Sequence, residues 1–385
     1  MATLHDNLAG ICCMQILKDL GPSGKGDFQQ IFSKNIRRIG TSGWPLADFQ
    51  LLDYDNNYTW AFEFKPPGQQ KREYVTGLGQ AYTYLNFADY SALIVPVMSN
   101  DRFSIADYLS KTSKLEVLSN SPVAIFAYDE SRLLSGDPGS LSLIRSINNK
   151  RSEIPPNKKS EDSGGVFWTW WRDTSDTELY RLLELSDIHR GKSPDIYTDY
   201  VWPDFQKELA NGKVCTWEGE PRRVNSGFSQ HKQNYKIPLF RLGLIEQDSG
   251  DLTEEGYDLL KIGKIFKPNS AVFLDEIARI ILTRGQHLEL INQLENYQNS
   301  LARNAEELQS SKSFFGGFET WLDKQGLIPQ RKPGRVTTGN KNSFIRDEPK
   351  LWNKLHLTNV KNDQYFERGY GIKFNISRIT SLIRE

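Results

Sequence analysis

Apolar and polar positions follow two different periods along the chain, and the switches between them mark out its elements. From His5 to Leu20 the apolar residues recur at helical spacing, which predicts an amphipathic helix. A glycine-rich break, GPSGKG, leads into DFQQIFSKNIRR, which predicts a second helix ending near Gly40. Two short runs, ADFQLLDYD and YTWAFEFK, then read as strands joined through Asn56-Asn57, since asparagine tolerates the positive φ of a tight hairpin. Helical spacing returns in VTGLGQAYTYLNFA through Leu78, Tyr82 and Leu85, and SALIVPVM and SPVAIFAYD predict buried strands. Residues 1–150 therefore predict an α/β domain, a mixed sheet flanked by helices.

The period is lost over NNKRSEIPPNKKSEDSGG, so residues 151–165 read as a linker. Beyond it the pattern is mainly helical. An apolar helix ending in Leu242-Gly243-Leu244-Ile245, a turn at Asp248 to Gly250 and a helix capped by Thr253 predict a winged-helix-like unit within 166–270. FETWLDKQGLIPQRKPGRV, residues 318–336, echoes that order, so 271–385 predicts a helical connector and a second such unit.

Composition narrows the class. The chain has 385 residues, 38% hydrophobic and 25% charged, as a soluble globular protein of two or three domains would. No run approaches the eighteen or so apolar residues of a membrane span, and MATLHDNLAG lacks the basic start of a signal peptide. The expectation is a cytoplasmic protein without a membrane partner. Three cysteines without a CxxC pair and five dispersed histidines argue against structural zinc. The formal net charge is zero, so any polyanion partner must be read from local patches.

Candidate chemistry concentrates in FEFK. Side chains alternate along a strand, so Glu63 and Lys65 share one face while Phe62 and Phe64 share the other. Two opposite charges on one face are either a solvated strand or a site. Asp48 opens the preceding strand, and a hairpin folds it towards the same end of the sheet as Glu63 and Lys65. Two carboxylates held together repel unless a cation sits between them, and a hard divalent ion such as Mg²⁺ takes carboxylate and phosphate oxygens. Lysine adds a compact positive charge able to orient a water. Asp53 and Asp55 flank Asn56-Asn57 and read as turn residues.

Asp48 followed by Glu63-Phe64-Lys65, in an α-β-β-α-β order, resembles the PD-(D/E)XK nuclease superfamily, which includes many type II restriction endonucleases. Gln80-Ala81-Tyr82-Thr83-Tyr84 is similar to the QxxxY signature of some of its branches, and i and i+4 share a helix side. Taken alone, Gln80 also fits a helix-surface polar residue and Tyr84 a core tyrosine. Ala47 stands where the superfamily name has proline, and Asp27 is the one acid available on the preceding helix. The resemblance implies that Asp48, Glu63 and the Phe64 carbonyl hold Mg²⁺, that Lys65 positions water, and that Gln80 and Tyr84 face the site. It implies hydrolysis of phosphodiesters in double-stranded DNA to 5′-phosphate and 3′-hydroxyl ends, by a homodimer or a pair formed on DNA.

Two basic islands suit such a partner. Residues 311–346 carry seven basic against two acidic residues, and 217–241 carry five against two. Arg222, Arg223, Asn225, Ser226, Gln230, His231, Lys232, Gln233 and Asn234 fall before or within the expected recognition helix, and Arg331, Lys332, Arg335 and Asn340 on the second unit's wing. A transposon-end or repair nuclease of the same fold, or a non-catalytic DNA-binding regulator, fits the same sequence.

Overall fold

Among the described residues, six strands pair in chain order into one mixed sheet: β1 (Ile36–Ile39), β2 (Phe49–Asp53), β3 (Tyr58–Phe64), β4 (Tyr90–Pro96), β5 (Val123–Tyr128) and β6 (Leu141–Arg145). β1, β2 and β3 form an antiparallel meander, β4 and β5 continue parallel to β3, and β6 returns antiparallel to β5. Helix α1 (Ala2–Asp19) precedes the sheet, α2 (Lys71–Thr83) connects β3 to β4, α3 (Ile105–Thr112) connects β4 to β5, and α4 (Glu130–Leu134) leads to β6. The computed structural model describes residues 2–20, 31–41, 43, 45–114, 120–147, 165–171, 174–222, 231–302, 304–330, 344–345, 347–359 and 365–384.

Both faces of the sheet are covered. Phe49, Leu51, Trp60, Phe62, Phe64, Ala92 and Ile94 pack with Leu8, Cys12 and Ile16 of α1. Leu93, Val95, Val123 and Ile125 pack with Tyr74, Leu78 and Ala81 of α2 and Ile105 and Leu109 of α3. The aromatic and β-branched density of YTWAFEF suits this doubly covered position, and Phe49 stacks on its register partner Phe62 with centroids 4.5 Å apart. At the hairpin Asn57 has φ 55°, and the buried Asp53 carboxylate accepts from the backbone N–H groups of Ser33 (2.9 Å) and Asn56 (3.1 Å), a turn role.

Ile36–Ile39, read as the end of a helix, is edge strand β1. Isoleucines three apart fit a helical turn, but tertiary pairing decides: Ile36 lies opposite Asp53 and Ile39 opposite Gln50, and the Arg38 N–H donates to the Gly326 carbonyl at 2.8 Å. Residues 27–30 of that expected helix lie outside the described residues.

The chain divides into two units, residues 1–167 with 319–337, and residues 168–318 with 338–385. The 319–337 segment, expected to belong to a second winged unit, groups with the sheet because Arg37 donates to the Asp323 carbonyl at 2.7 Å and Arg38 to Gly326. Of the expected linker, residues 151–164 lie outside the described residues.

The second unit is built mainly from helices: α5 (Asp176–Ile188), α6 (Trp202–Ala210), α7 (Lys232–Arg241), α8 (Glu254–Phe266), α9 (Ala271–Leu282), α10 (His287–Ser300), α12 (Glu348–Lys354) and α13 (Ile376–Arg384); α11 (Ser311–Lys324) is divided between the units. The helix, turn and Thr253-capped helix are present, with Thr253 Oγ1 accepting from the Gly256 N–H at 3.1 Å. The same hydrogen-bond pattern recurs from α12 to α13. Leu244 N–H to Leu239 O, Thr253 N–H to Leu244 O and Glu246 N–H to Asp251 O are matched by Leu357 to Trp352, Asn375 to Leu357 and Asn359 to Lys373. Gly243 (φ 69°) and His356 (φ 56°) occupy the equivalent left-handed position. Glycine takes that conformation freely and histidine at a cost, so the repeat at α12 carries no Gly-Leu-Ile signature, whereas Gly326 in the 318–336 stretch has φ 70° and the same cap bond, Leu327 N–H to Leu322 O at 2.9 Å. Among the described residues no helix is long and apolar enough to cross a membrane.

Candidate active site

Strand β3 is an interior strand, and this decides what its charges do. Glu63 and Lys65 are 4% and 6% exposed, so they do not form a solvated face. Lys65 Nζ lies 2.7 Å from Glu63 Oε1 and donates to Gln80 Oε1 at 2.8 Å. The Tyr84 hydroxyl donates to Glu63 Oε2 in a short hydrogen bond and lies 3.3 Å from the Leu46 carbonyl. α2 packs on the sheet through Leu78 and Ala81, and Gln80 and Tyr84, four residues apart along α2 and the 3-10 turn that follows it, both reach the site.

The backbone around Lys65 is fixed from both sides. Its N–H donates to Ile94 O at 2.9 Å and its carbonyl accepts from the Tyr128 hydroxyl at 3.1 Å. Pro66 and Pro67 then end the strand, and their carbonyls accept from the Tyr74 hydroxyl at 3.1 and 3.0 Å. Gly77 of α2 leaves room for the lysine stem.

Asp48 lies one residue before β2, where its N–H donates to Phe62 O at 3.0 Å. Its Oδ2 accepts from the Phe64 N–H at 2.6 Å. Its Oδ1 lies 2.8 Å from His5 Nε2, a partner that sequence reasoning did not single out. The available signal was positional: His5 stands one turn before Leu8 and Ala9 on the buried stripe of α1.

Charge is crowded here. Burial, and then the Asp48 carboxylate, push Glu63 up to about 7, against the opposing pull of Lys65 and Tyr84. Burial and Glu63 together raise the Tyr84 phenol. Burial pulls His5 down, but the carboxylates of Asp48, Asp6 and Glu63, Asp48 foremost, together outweigh it and hold the imidazole above its ordinary value.

Two hard oxygen donors whose mutual repulsion Lys65 and Tyr84 offset only in part fit a cation such as Mg²⁺, which completes its shell with backbone oxygen and water. Among the described residues no group of three or more His, Cys, Asp or Glu side chains could hold a metal, so a pair of carboxylates is the donor set available here.

The expected nucleic-acid residues are placed less completely. Arg223, Asn225, Ser226, Gln230, Arg331, Lys332, Arg335 and Asn340 lie outside the described residues. Arg222 is committed within its unit, donating to the buried Glu178 carboxylate, with Nη2 to Oε2 at 2.9 Å. Lys232 donates to Thr198 Oγ1 at 3.2 Å, and Asn234 Nδ2 lies 3.0 Å from His231 Nδ1. His231 and Gln233 are exposed at the start of α7. The turn after α7 carries Glu246, Asp248 and Asp251 and no basic residue between Ile245 and Leu252, which suits phosphate contact poorly.

Compared with protein-family models and with curated proteins, the chain matches none of them.

Proposed function

We propose that the first unit is a Mg²⁺-dependent DNA endonuclease of the PD-(D/E)XK type, most simply a type II restriction enzyme. The observation that carries this reading is the buried Glu63–Lys65 pair at 2.7 Å, bonded to Gln80 and Tyr84 and electrostatically linked to Asp48. A solvated ion pair would need none of these partners, and a purely structural pair gains little from a second carboxylate that raises its cost.

Asp48 and Glu63 would hold the metal, with the Phe64 carbonyl as the further protein oxygen. When bound, the cation polarises a phosphodiester oxygen and lowers the pKa of a coordinated water. Lys65 places its charge beside the attacking water and the charge that builds on phosphorus, and Gln80 Oε1 accepts from the same ammonium. Water oxygen bonds to phosphorus, the phosphorus–O3′ bond breaks, and the departing oxygen takes a proton, leaving 5′-phosphate and 3′-hydroxyl ends. The second unit, with exposed His231 and Gln233 on α7, supplies base reading in this scheme. Duplex cutting requires two such sites, hence a homodimer or a pair assembled on DNA.

One observation favours a second reading, a DNA-binding protein whose sheet is only a scaffold: both oxygens of Asp48 and of Glu63 already have protein partners. Incubating the purified chain with plasmid and Mg²⁺ separates the two. Discrete fragments with 5′-phosphate ends support the restriction enzyme; gel shifts without cleavage in Mg²⁺ or Mn²⁺ support the scaffold.

A further inference from the structure

We propose that His5 is a positioning residue for Asp48, fixing the plane of the carboxylate that the nuclease reading assigns to the metal; its consequence for metal rests on that reading, its geometry does not. Helix α1 buries Leu8, Ala9, Cys12, Cys13 and Ile16 in steps of three and four, and Leu20 just past its end continues the stripe. An apolar residue would continue the stripe at position 5. An imidazole stands there instead, its ring edge-on to Phe64 (centroids 5.9 Å, 84°) and its Nε2 2.8 Å from Asp48 Oδ1.

Phe64 therefore acts twice. Its backbone N–H holds one oxygen of Asp48 at 2.6 Å, and its ring seats the histidine that holds the other. The carboxylate torsion of aspartate is broad and two-fold, so one hydrogen bond leaves Asp48 free to swing, whereas two bonds from different elements do not. Asp48 depends on this support because it lies outside β2, where the ladder holds its backbone and not its side chain. A ligand already held in plane has less freedom to lose when a cation arrives.

The test uses the full chain with His5→Ala and His5→Gln, the latter because the glutamine amide nitrogen can take the place of Nε2. Two signals are followed: hydrogen exchange of the Phe64 amide in metal-free protein, which reads the bond to Asp48 without the ring current of His5, and Ca²⁺ binding by calorimetry. His5→Ala speeds that exchange and weakens Ca²⁺ binding about ten-fold or more; His5→Gln restores both. An unchanged Phe64 amide in folded His5→Ala overturns the proposal, as does a folded His5→Gln that behaves like His5→Ala. A native chain whose Phe64 amide responds to these substitutions but which binds no divalent cation keeps the positioning role and sinks the nuclease reading instead.

Discussion

Gly77 lies so close to Lys65 that a Cβ on it would sit 2.7 Å from Lys65 Cε and 2.9 Å from Leu93 Cδ1. A glycine inside a helix costs about 1 kcal/mol relative to alanine, and here the missing side chain is the space the lysine stem occupies.

Gly77→Ala should therefore cost more in activity than in stability. The gain in helix propensity offsets part of an overpacking penalty of about 1–3 kcal/mol, but the lysine stem must shift to accommodate the methyl group, which disturbs its contacts with Glu63 and Gln80. Plasmid cleavage measured beside thermal melting tests this; a Gly77→Ala protein with native cutting rates would show that the position of Lys65 does not matter.

Removing either charge of the buried pair should abolish cutting while DNA binding in Ca²⁺ persists. Lys65→Ala strands a carboxylate that is 4% exposed, and breaking such a pair costs about 3–5 kcal/mol when the survivor stays ionised. Glu63 already titrates near 7, so without Lys65 it takes up a proton and the measured loss should fall below that range. Cleavage assays and gel shifts on Lys65→Ala and Glu63→Ala decide the point, and full activity in both variants would remove the site.

The raised Glu63 pKa has a signed consequence for stability. The folded state holds this proton more tightly than the unfolded chain, so the contribution is complete below 4.5 and is lost as pH climbs from there through about 7. The interval corresponds to about 3 kcal/mol. Melting temperature in chelator should fall between pH 5 and pH 8, Glu63→Gln should flatten the fall, and Mg²⁺ should reduce it by favouring the ionised carboxylate. A profile identical in the native chain and Glu63→Gln would contradict the assignment.

Tyr84→Phe keeps the buried ring against Phe87, whose centroid is 5.6 Å away, and removes the hydroxyl from Glu63. Because that hydrogen bond lowers the Glu63 pKa, its loss should move the pH dependence of melting to higher pH and cost about 1–2 kcal/mol. Titration of both proteins by melting curves reads this directly.

A fragment ending at residue 167 should be less stable than the first unit in the whole chain, because it lacks 319–337 and with it the Gly326 carbonyl that accepts from Arg38 on β1. Proteolysis within 31–41 in the fragment, and protection of the same segment in the full chain, is the expected pattern.

Much of the first unit could be read from local chemistry. The pair Asn56-Asn57 was read as the hairpin turn because asparagine accepts positive φ, and of the two Asn57 has it, φ 55°. Leu78, Tyr82 and Leu85 marked α2 and its 3-10 extension by spacing alone. Periodicity is a property of near neighbours, so it also placed Glu63 and Lys65 on one face of one strand. The same logic failed for Ile36 and Ile39, which satisfy a helical turn and an edge strand equally until β2 pairs with them.

What the sequence determined by itself was the order of elements around β3 and the sharing of a face by an acid and a lysine, since both follow from alternation within a few residues. Only the tertiary structure decided that the face is buried, that His5 grips Asp48 across 43 positions, and that 319–330 groups with the sheet rather than with the helical unit. The physical reason is range. Backbone propensity acts within a turn or a hairpin, whereas desolvation and charge pairing depend on which distant segments close over a site, and those two effects push Glu63 up to about 7.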